Sequence, residues 1–394
     1  MGKKKILFVL GAYNYGGTVF STLNMLSYLK DMYDVYVMAL APYGPVKQLY
    51  SQYQSVESSV ILQAFANMPN DARNGRIAKV EMLLYKLIKH FFLLLHYDIT
   101  DFIYIREARK LNKKHQFDVV ASTQEGISTR FVSLFENSIK IAWFRSEYSI
   151  YRHQLTEFQL AEEQRIYSKY DKIVCVSNTT KEDFCKYFDS IKDRVLAIHN
   201  IQNIDDIKGK SQQTIEDPFD QDTFNIVSVG RMAKQKQFYL IPKIAYEIQK
   251  TYGLKFKWYI IGDGNVSGEL ERFEDAMKKY CNSDVVIRLG SKINPYPYIA
   301  LADLLVNTSY YEACPRVVAE AQILHTPVVC ADFSSANEFV CNGYNGYVVN
   351  KDDLASQIAE LIADKSKYSV IKSNSLKYNG QNEYILEQLK MLFK

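Results

Sequence analysis

Residues 302–321 read ADLLVNTSYYEACPRVVAEA. The segment leaves an apolar run, sets down Glu312, starts a helix at Pro315 and places Glu320 about one and a half turns along it. ADLLVNTS is too uniformly apolar to be half-exposed and reads as a strand of a parallel sheet covered on both faces. Proline suits the first helical position, because the N–H it lacks would have no partner there. The N–H groups that follow point out of the helix start, and a helix start of this kind attracts anions, phosphate above all. Glu312 stands just before it at the strand's C-terminal end, and Glu320 reaches a different part of the same ligand. A carboxylate only accepts hydrogen bonds and suits paired hydroxyls. A phosphate flanked by two polyhydroxyl groups describes a nucleotide sugar, although two surface carboxylates near a helix start are common by themselves.

The same alternation of strand and helix extends in both directions. Downstream of residue 222, FNIVSVG, FKWYIIG, VVIRLG, DLLVNTS, TPVVCAD and GYVVN are strand candidates with helical stretches between them. Upstream, KKILFVL, DVYVMAL, FDVVAST, KIAWFRS and KIVCVSN play the same part. The pattern predicts an α/β chain with two doubly wound, Rossmann-like sheets, whose ligands lie beyond the strand C-terminal ends. Residues 203–222, NIDDIKGKSQQTIEDPFDQD, are polar and read as a linker between them. The expected division is therefore 1–203, 204–372, and a C-terminal stretch 373–394 packing back on the first domain. The loop VGRMAKQK (229–236) follows a strand and offers Arg231 as a fork and Lys236 as a point charge, a pair able to grip a diphosphate. Lys234 reads as solvated.

Residues 76–95, RIAKVEMLLYKLIKHFFLLL, depart from the alternation. Val80, Leu84, Leu87, Phe91 and Leu95 share one helical face, with Lys79, Lys86, Lys89 and His90 opposite. Two readings follow: contact with an anionic membrane, slightly favoured by Phe92 and Leu93, or an apolar face packed on the sheet.

Composition bounds the rest. With 47% hydrophobic and 23% charged residues, the 394-residue chain reads as soluble and globular, with two or three domains. Residues 1–200 hold 26 Lys and Arg against 20 Asp and Glu, and the remainder holds 22 against 24. That bias is too small for a nucleic-acid stripe. The N-terminal apolar run is too short for a signal segment, and no run approaches the ~20 residues of a membrane span. Six cysteines, without a CxxC pair, read as free thiols in a reducing cytoplasm. Six histidines lack metal-ligand spacing, Asp220-Gln221-Asp222 reads as a solvated run, and GDGNVSG (262–268) as a strand-to-helix turn. No metal site is expected. Most of the 30 tyrosines read as half-buried packing.

Taken in order, the loop at 229–236, IIGDG, the 294–321 segment, TPVVCAD and NGYNGYVV resemble glycosyltransferase family 4. The resemblance extends forward through GGTVFSTLNMLSYL, IAWFRSEY and KIVCVSNTTKEDF. It implies the GT-B fold, two Rossmann-like domains facing each other across a cleft, and transfer with retention of configuration. It implies that Arg231 and Lys236 hold the donor diphosphate, that Glu312 faces the transferred sugar, and that Glu320 faces the ribose. Cys314, Pro315, Arg316 and Val317 would present the helix start to the donor, Lys292 and Tyr296 would lie near the base, and Gly16 and Gly17 would approach the phosphate. No metal or cofactor is implied. The substrate would be a nucleotide-diphosphate sugar, a uridine one favoured, and the acceptor a glycan or lipid-linked saccharide, as in bacterial capsule, exopolysaccharide or cell-wall assembly. The location would be cytoplasmic or peripheral on the inner face of the membrane. Four positions depart from the pattern: Arg145 replaces a histidine that would contact the donor sugar, and Ala313, Gln237 and His325 replace glycines. Arg145 reads equally as a donor contact or as a structural partner of Glu147. The rival readings are a nucleotide-sugar epimerase on this fold and a non-catalytic partner protein.

Overall fold

The computed structural model describes residues 2–69, 76–95, 97–266, 268–280, 284–378 and 380–394. His96 and Cys281 lie outside the described residues. The chain divides into two compact units, Met1–Ile201 with Tyr384–Lys394, and Gln202–Glu383.

The first unit is built on β1 (Lys5–Leu10), β2 (Asp34–Ala39), β3 (Gln54–Ser55), β4 (Val119–Ser122), β5 (Ile139–Phe144), β6 (Lys172–Cys175) and β7 (Val195–Ala197). Among the described residues these form a sheet of order β3-β2-β1-β4-β5-β6-β7, every neighbour parallel. The apolar runs explain it. Ile6, Leu7, Phe8 and Val9 are fully buried, which requires helices over both faces of the sheet. The edge strands β3 and β7 are two and three residues long, too short to leave a pattern in the sequence.

The second unit repeats the design with β8 (Phe224–Val229), β9 (Phe256–Ile261), β10 (Val286–Gly290), β11 (Leu304–Asn307), β12 (Val328–Ala331) and β13 (Gly346–Val349), in the order β10-β9-β8-β11-β12-β13. Successive side chains of a strand face opposite ways, so the sheet divides two cores. Ile226, Trp258, Ile260, Leu304 and Val306 pack toward the helices Ile241–Tyr252 and Leu354–Ala363. Val227, Tyr259, Leu305 and Val328 pack against Ile299, Val318 and Ala321 on the other side. In each sheet the winding reverses between two adjacent strands, β1 and β4 in one and β8 and β11 in the other. A crevice opens at such a reversal, outside the strand C-terminal ends.

Two expectations need correction, and one of the two readings of residues 76–95 falls away. Residues 203–222 are not a tether. Asn203 caps the helix Ile204–Ser211, Ile207 is buried, and Phe219 stacks on Tyr259 with ring centroids 4.1 Å apart, so the segment belongs to the second unit. At the C-terminus, the helix Lys365–Ser375 stays with the second unit, and the chain joins the first unit only from Tyr384. There Phe393 sets its ring against Phe8 and Trp143. The helix Arg76–Leu94 does not pack its apolar face on the sheet: Val80, Leu84, Leu87 and Phe91 are exposed, and Met82 is its buried residue. No helix among the described residues is long and apolar enough to cross a membrane.

Candidate functional site

The reversal between β8 and β11 brings two loops together. The loop after β8 runs from Gly230 to Gln237, and that after β11 from Thr308 to Pro315. Hydrogen bonds join them. Thr308 Oγ1 donates to the Lys236 carbonyl at 2.7 Å, Tyr310 N to the Gln235 carbonyl at 2.8 Å, and Gln235 Nε2 to the Tyr311 carbonyl at 2.8 Å. This brings Lys236 and Glu312 into contact, and Lys236 Nζ forms an ion pair with Glu312 Oε1. Ser309 Oγ donates to the same carboxylate oxygen at 2.9 Å, and Ser335 Oγ holds the Glu312 carbonyl at 2.6 Å. Glu312 is 8% exposed, a buried carboxylate neutralised by an ammonium. Gly230 makes room for its partner, since a Cβ there would sit 3.0 Å from Lys236 Cε. Behind them burial pushes the Cys330 thiol well up, which leaves it unreactive at neutral pH.

The helix after Glu312 spans Arg316–Ile323. Pro315 is its N-cap, with extended backbone, one position earlier than expected. No side chain caps this helix start, and Val318 N makes a hydrogen bond back to the Pro315 carbonyl at 3.1 Å. The amides of Arg316 and Val317 precede it, as an anion site requires. Glu320 is buried, and its carboxylate accepts from Arg316 Nη2 at 2.8 Å, one turn away. Burial, reinforced by the Glu320 charge, pushes the nearby Tyr296 phenol above its ordinary value. Tyr296, Arg316 and Glu320 therefore form a second polar cluster beside the first.

The expected site residues are not all drawn together. Among the described residues Arg231 has no side-chain partner and is exposed, whereas Lys236 is already paired. Lys292 is tied to Asp217 Oδ2 at 2.6 Å and Glu216 Oε2 at 3.2 Å, and these bonds hold its pKa above that of an ordinary lysine. Cys314 is half-buried at the helix start. Ser309, Ser335, Gln235 and Asp217 were not singled out from the sequence, because short polar residues in loops carry no spacing signal.

In the first unit, Arg145 follows β5 and is held at the C-terminal edge of the sheet. Its Nε donates to the Thr123 carbonyl at 2.7 Å, its Nη1 to Asn200 Oδ1 at 2.6 Å, and its backbone N to Glu125 Oε1 at 2.5 Å. Gly16 caps the helix Gly17–Leu29 without a side-chain bond, and a Cβ there would meet nothing within 4 Å. The space over Gly16, at the start of the helix that follows β1, lies beside the β1–β4 reversal. A groove of about 690 Å³ lined by Arg109, Lys113, Glu136 and Lys140 lies at the opposite, N-terminal edge, where doubly wound sheets do not place ligands. Among the described residues no three His, Cys, Asp or Glu side chains group as metal ligands. Asp220 makes a turn instead, its Oδ1 accepting from Asp222 N. GDGNVSG begins as a turn too: Gly262 has φ +144°, and a Cβ there would lie 1.7 Å from the Gly230 carbonyl oxygen.

The family model Glycosyltransferase Family 4 matches residues 15–205, and Glycosyl transferases group 1 matches residues 210–382. A Campylobacter jejuni N-acetylgalactosamine-N,N'-diacetylbacillosaminyl-diphospho-undecaprenol 4-alpha-N-acetylgalactosaminyltransferase is 31% identical over 189 residues, 48% of this chain and 49% of that one. The capsular polysaccharide biosynthesis glycosyltransferase CapM of Staphylococcus aureus is 27% identical over 179 residues, 44% and 46% of the two chains. The chain spans about half the length of the curated relatives it matches. Among solved structures, Anabaena HepE in complex with UDP-glucose superposes with a TM-score of 0.72 at 17% identity, over 98% of this chain and 99% of that one. The glycosyltransferase of Rickettsia africae gives 0.74 at 16% identity, over 100% and 98%. With two parallel Rossmann-like sheets and a family match in each half, the chain belongs to the family-4-type glycosyltransferases of GT-B fold.

Proposed function

We propose that this protein transfers a sugar from a nucleotide-diphosphate donor, a uridine one favoured, to a glycan or lipid-linked saccharide acceptor. Transfer retains configuration and needs no metal. The observation that carries the reading is the buried Lys236–Glu312 pair beside the side-chain-uncapped helix start at Arg316, with Arg231 exposed on the adjoining loop. Arg231 and the helix-start amides bind the diphosphate, and Lys236 offsets the charge that develops on the leaving phosphate. Glu320 takes the ribose hydroxyls, oriented by Arg316. A carboxylate neutralised by an ammonium and bonded to Ser309 is a poor nucleophile, which favours front-face displacement over a covalent glycosyl-enzyme. In that step the acceptor oxygen bonds to the anomeric carbon as the bond to the phosphate breaks, and the acceptor proton passes to the departing phosphate. UDP-glucose bound to HepE and the undecaprenol-linked acceptor in the C. jejuni relative's name support the donor and acceptor classes. We place the work at the inner face of a cell membrane.

The test is a panel of nucleotide sugars read by thermal shift, followed by transfer assays with the stabilising donor. A bound donor raises the melting temperature by mass action. The product's anomeric configuration, read by NMR, matches the donor's, and the rate survives chelation of divalent metals. An inverted product, or sugar isomerised in the absence of acceptor, overturns the proposal.

A further inference from the structure

Strand β11 ends on a residue that its neighbours do not predict. Leu304, Leu305 and Val306 are buried apolar side chains, and Asn307 follows them at 4% exposed. By the alternation of a strand its side chain shares the side of Leu305, where Val318 and Ala321 pack. An apolar residue would fill that place without loss of hydration. Asn307 Nδ2, by contrast, is shut away from solvent and has no partner among the described residues. A buried donor left unpaired costs stability, and what the side chain gains in return lies on its other atom. Oδ1 accepts from Ser309 N at 2.9 Å, and Ser309 Oγ donates at 2.9 Å to Glu312 Oε1. Asn307 and Ser309 are thus successive steps in a buried chain of bonds that ends on the carboxylate.

Glu312 needs the bond from Ser309. Its other partner, Lys236, is a point charge on a flexible stem and attracts either oxygen alike. The terminal torsion of a glutamate is broad, so the ion pair alone holds the carboxylate in place without fixing its turn about that torsion. A hydroxyl bond is directional. It holds Oε1, and among the described residues no donor reaches Oε2, which is left as the acceptor for a ligand. Ser309 can give this direction only if its own backbone is fixed. The chain is free to turn where a strand ends, and the Asn307 side chain removes that freedom by folding back on the amide two residues ahead. Thr308, between them, ties the facing loop through the Lys236 carbonyl. A turn that only ended the strand would have no need of burial, because such turns lie at the surface, where a free amide meets water.

We propose that Asn307 is a positioning residue: acting through Ser309, it fixes which oxygen of Glu312 faces the sugar. The inference rests on the reading of Glu312 as the sugar-facing carboxylate. Asn307→Leu keeps the branching of the side chain and removes both polar atoms. Its melting temperature should shift by less than about 3 °C, because the lost bond to Ser309 is offset by removal of an unpaired donor. The kcat should fall about tenfold with the donor KM within about a factor of two, since a misdirected carboxylate weakens the transition state rather than diphosphate binding. Ser309→Ala should lose as much, and Asn307→Leu/Ser309→Ala no more than Ser309→Ala alone, because the two residues act in series. Asn307→Ser, whose hydroxyl can accept from the same amide, should recover most of the rate. Should the leucine variant not fold, Asn307→Ala carries the same expectations for kcat and KM. Native kcat in Asn307→Leu, losses that multiply in the double variant, or a loss confined to KM or to melting temperature overturns the proposal. The crystal structure of Asn307→Leu decides the point without turnover. Glu312 swung round or split between two orientations supports the proposal, and Oε1 still held by Ser309 overturns it. A native protein that turns over no nucleotide sugar counts against the proposed reaction alone.

Discussion

The side chains of Lys236 and Glu312 are 19% and 11% exposed, so neither is easily hydrated if the other is removed. Deleting one partner of a fully buried pair costs about 3–5 kcal/mol, and the residual exposure here lowers that to about 2 kcal/mol. Glu312→Ala and Lys236→Ala should therefore lower the urea midpoint as well as turnover. Glu312→Gln separates the two effects. It keeps a carbonyl oxygen for Ser309 yet removes the charge, and turnover should fall about a hundredfold with most of the stability retained. Rates within a factor of two of the native enzyme would show that the charge is not used. Gln237 and His325 illustrate what the sequence hides. Each stands where glycine is expected, and both adopt left-handed backbone, at φ 49° and 60°. That conformation costs a side-chain-bearing residue about 1–2 kcal/mol, while glycine loses about 0.5–1 kcal/mol more in chain entropy. The difference favours Gln237→Gly by about 0.5 kcal/mol, measurable as a higher urea midpoint. His325 is different, because Nδ1 bonds to the Ser375 carbonyl at 2.8 Å and glycine would forfeit that contact.

Both parallel sheets were legible because their central strands are nearly continuous apolar runs, and that signal needs no alignment to read. Strands β3 and β7 were not, because a strand of two or three residues gains its identity from the neighbour it pairs with. The segment 203–222 misled for another reason. Its polar surface outnumbers the few side chains that anchor it, Ile207 and Phe219, and composition cannot weigh two buried residues against many exposed ones. Phe219 is 4% exposed and lies on Tyr259, next to the segment whose Asp217 holds Lys292. Phe219→Ala should cost about 3 kcal/mol by cavity formation and lost stacking. It should also loosen the Lys292 anchor. The check is the urea midpoint read from Trp258 in a Trp143→Phe background, and a change below about 1 kcal/mol would return the segment to the status of a tether.

Each unit owns one of the chain's two tryptophans, Trp143 in the first and Trp258 in the second, so the stability of the two can be followed separately. The first unit holds a group whose titration should set it apart. Glu163 follows Glu162 in the helix Glu157–Tyr167, and nothing in the sequence ranks one above the other. The fold turns Glu162 to Arg165 and Arg130, and buries Glu163 against Tyr151, whose hydroxyl donates to it at 3.4 Å. Burial, with the charge of Glu125 behind it, pushes the Glu163 carboxyl from 4.5 up to about 7. The folded state therefore keeps a proton that the unfolded chain gives up near pH 4.5, and folding takes up a proton between those two values. Glu163 therefore contributes a fall in stability as pH rises from about 4.5 to about 7, levelling off above, by an amount on the order of 2–3 kcal/mol. Glu163→Gln carries no charge, so it should flatten this slope and leave the first unit more stable than the native protein at pH 8. Urea midpoints read from Trp143 in a Trp258→Phe background, at pH 5 and pH 8, decide the matter. A Glu163→Gln variant whose midpoints change between the two pH values as much as the native protein's would mean that Glu163 is ionised in the folded protein.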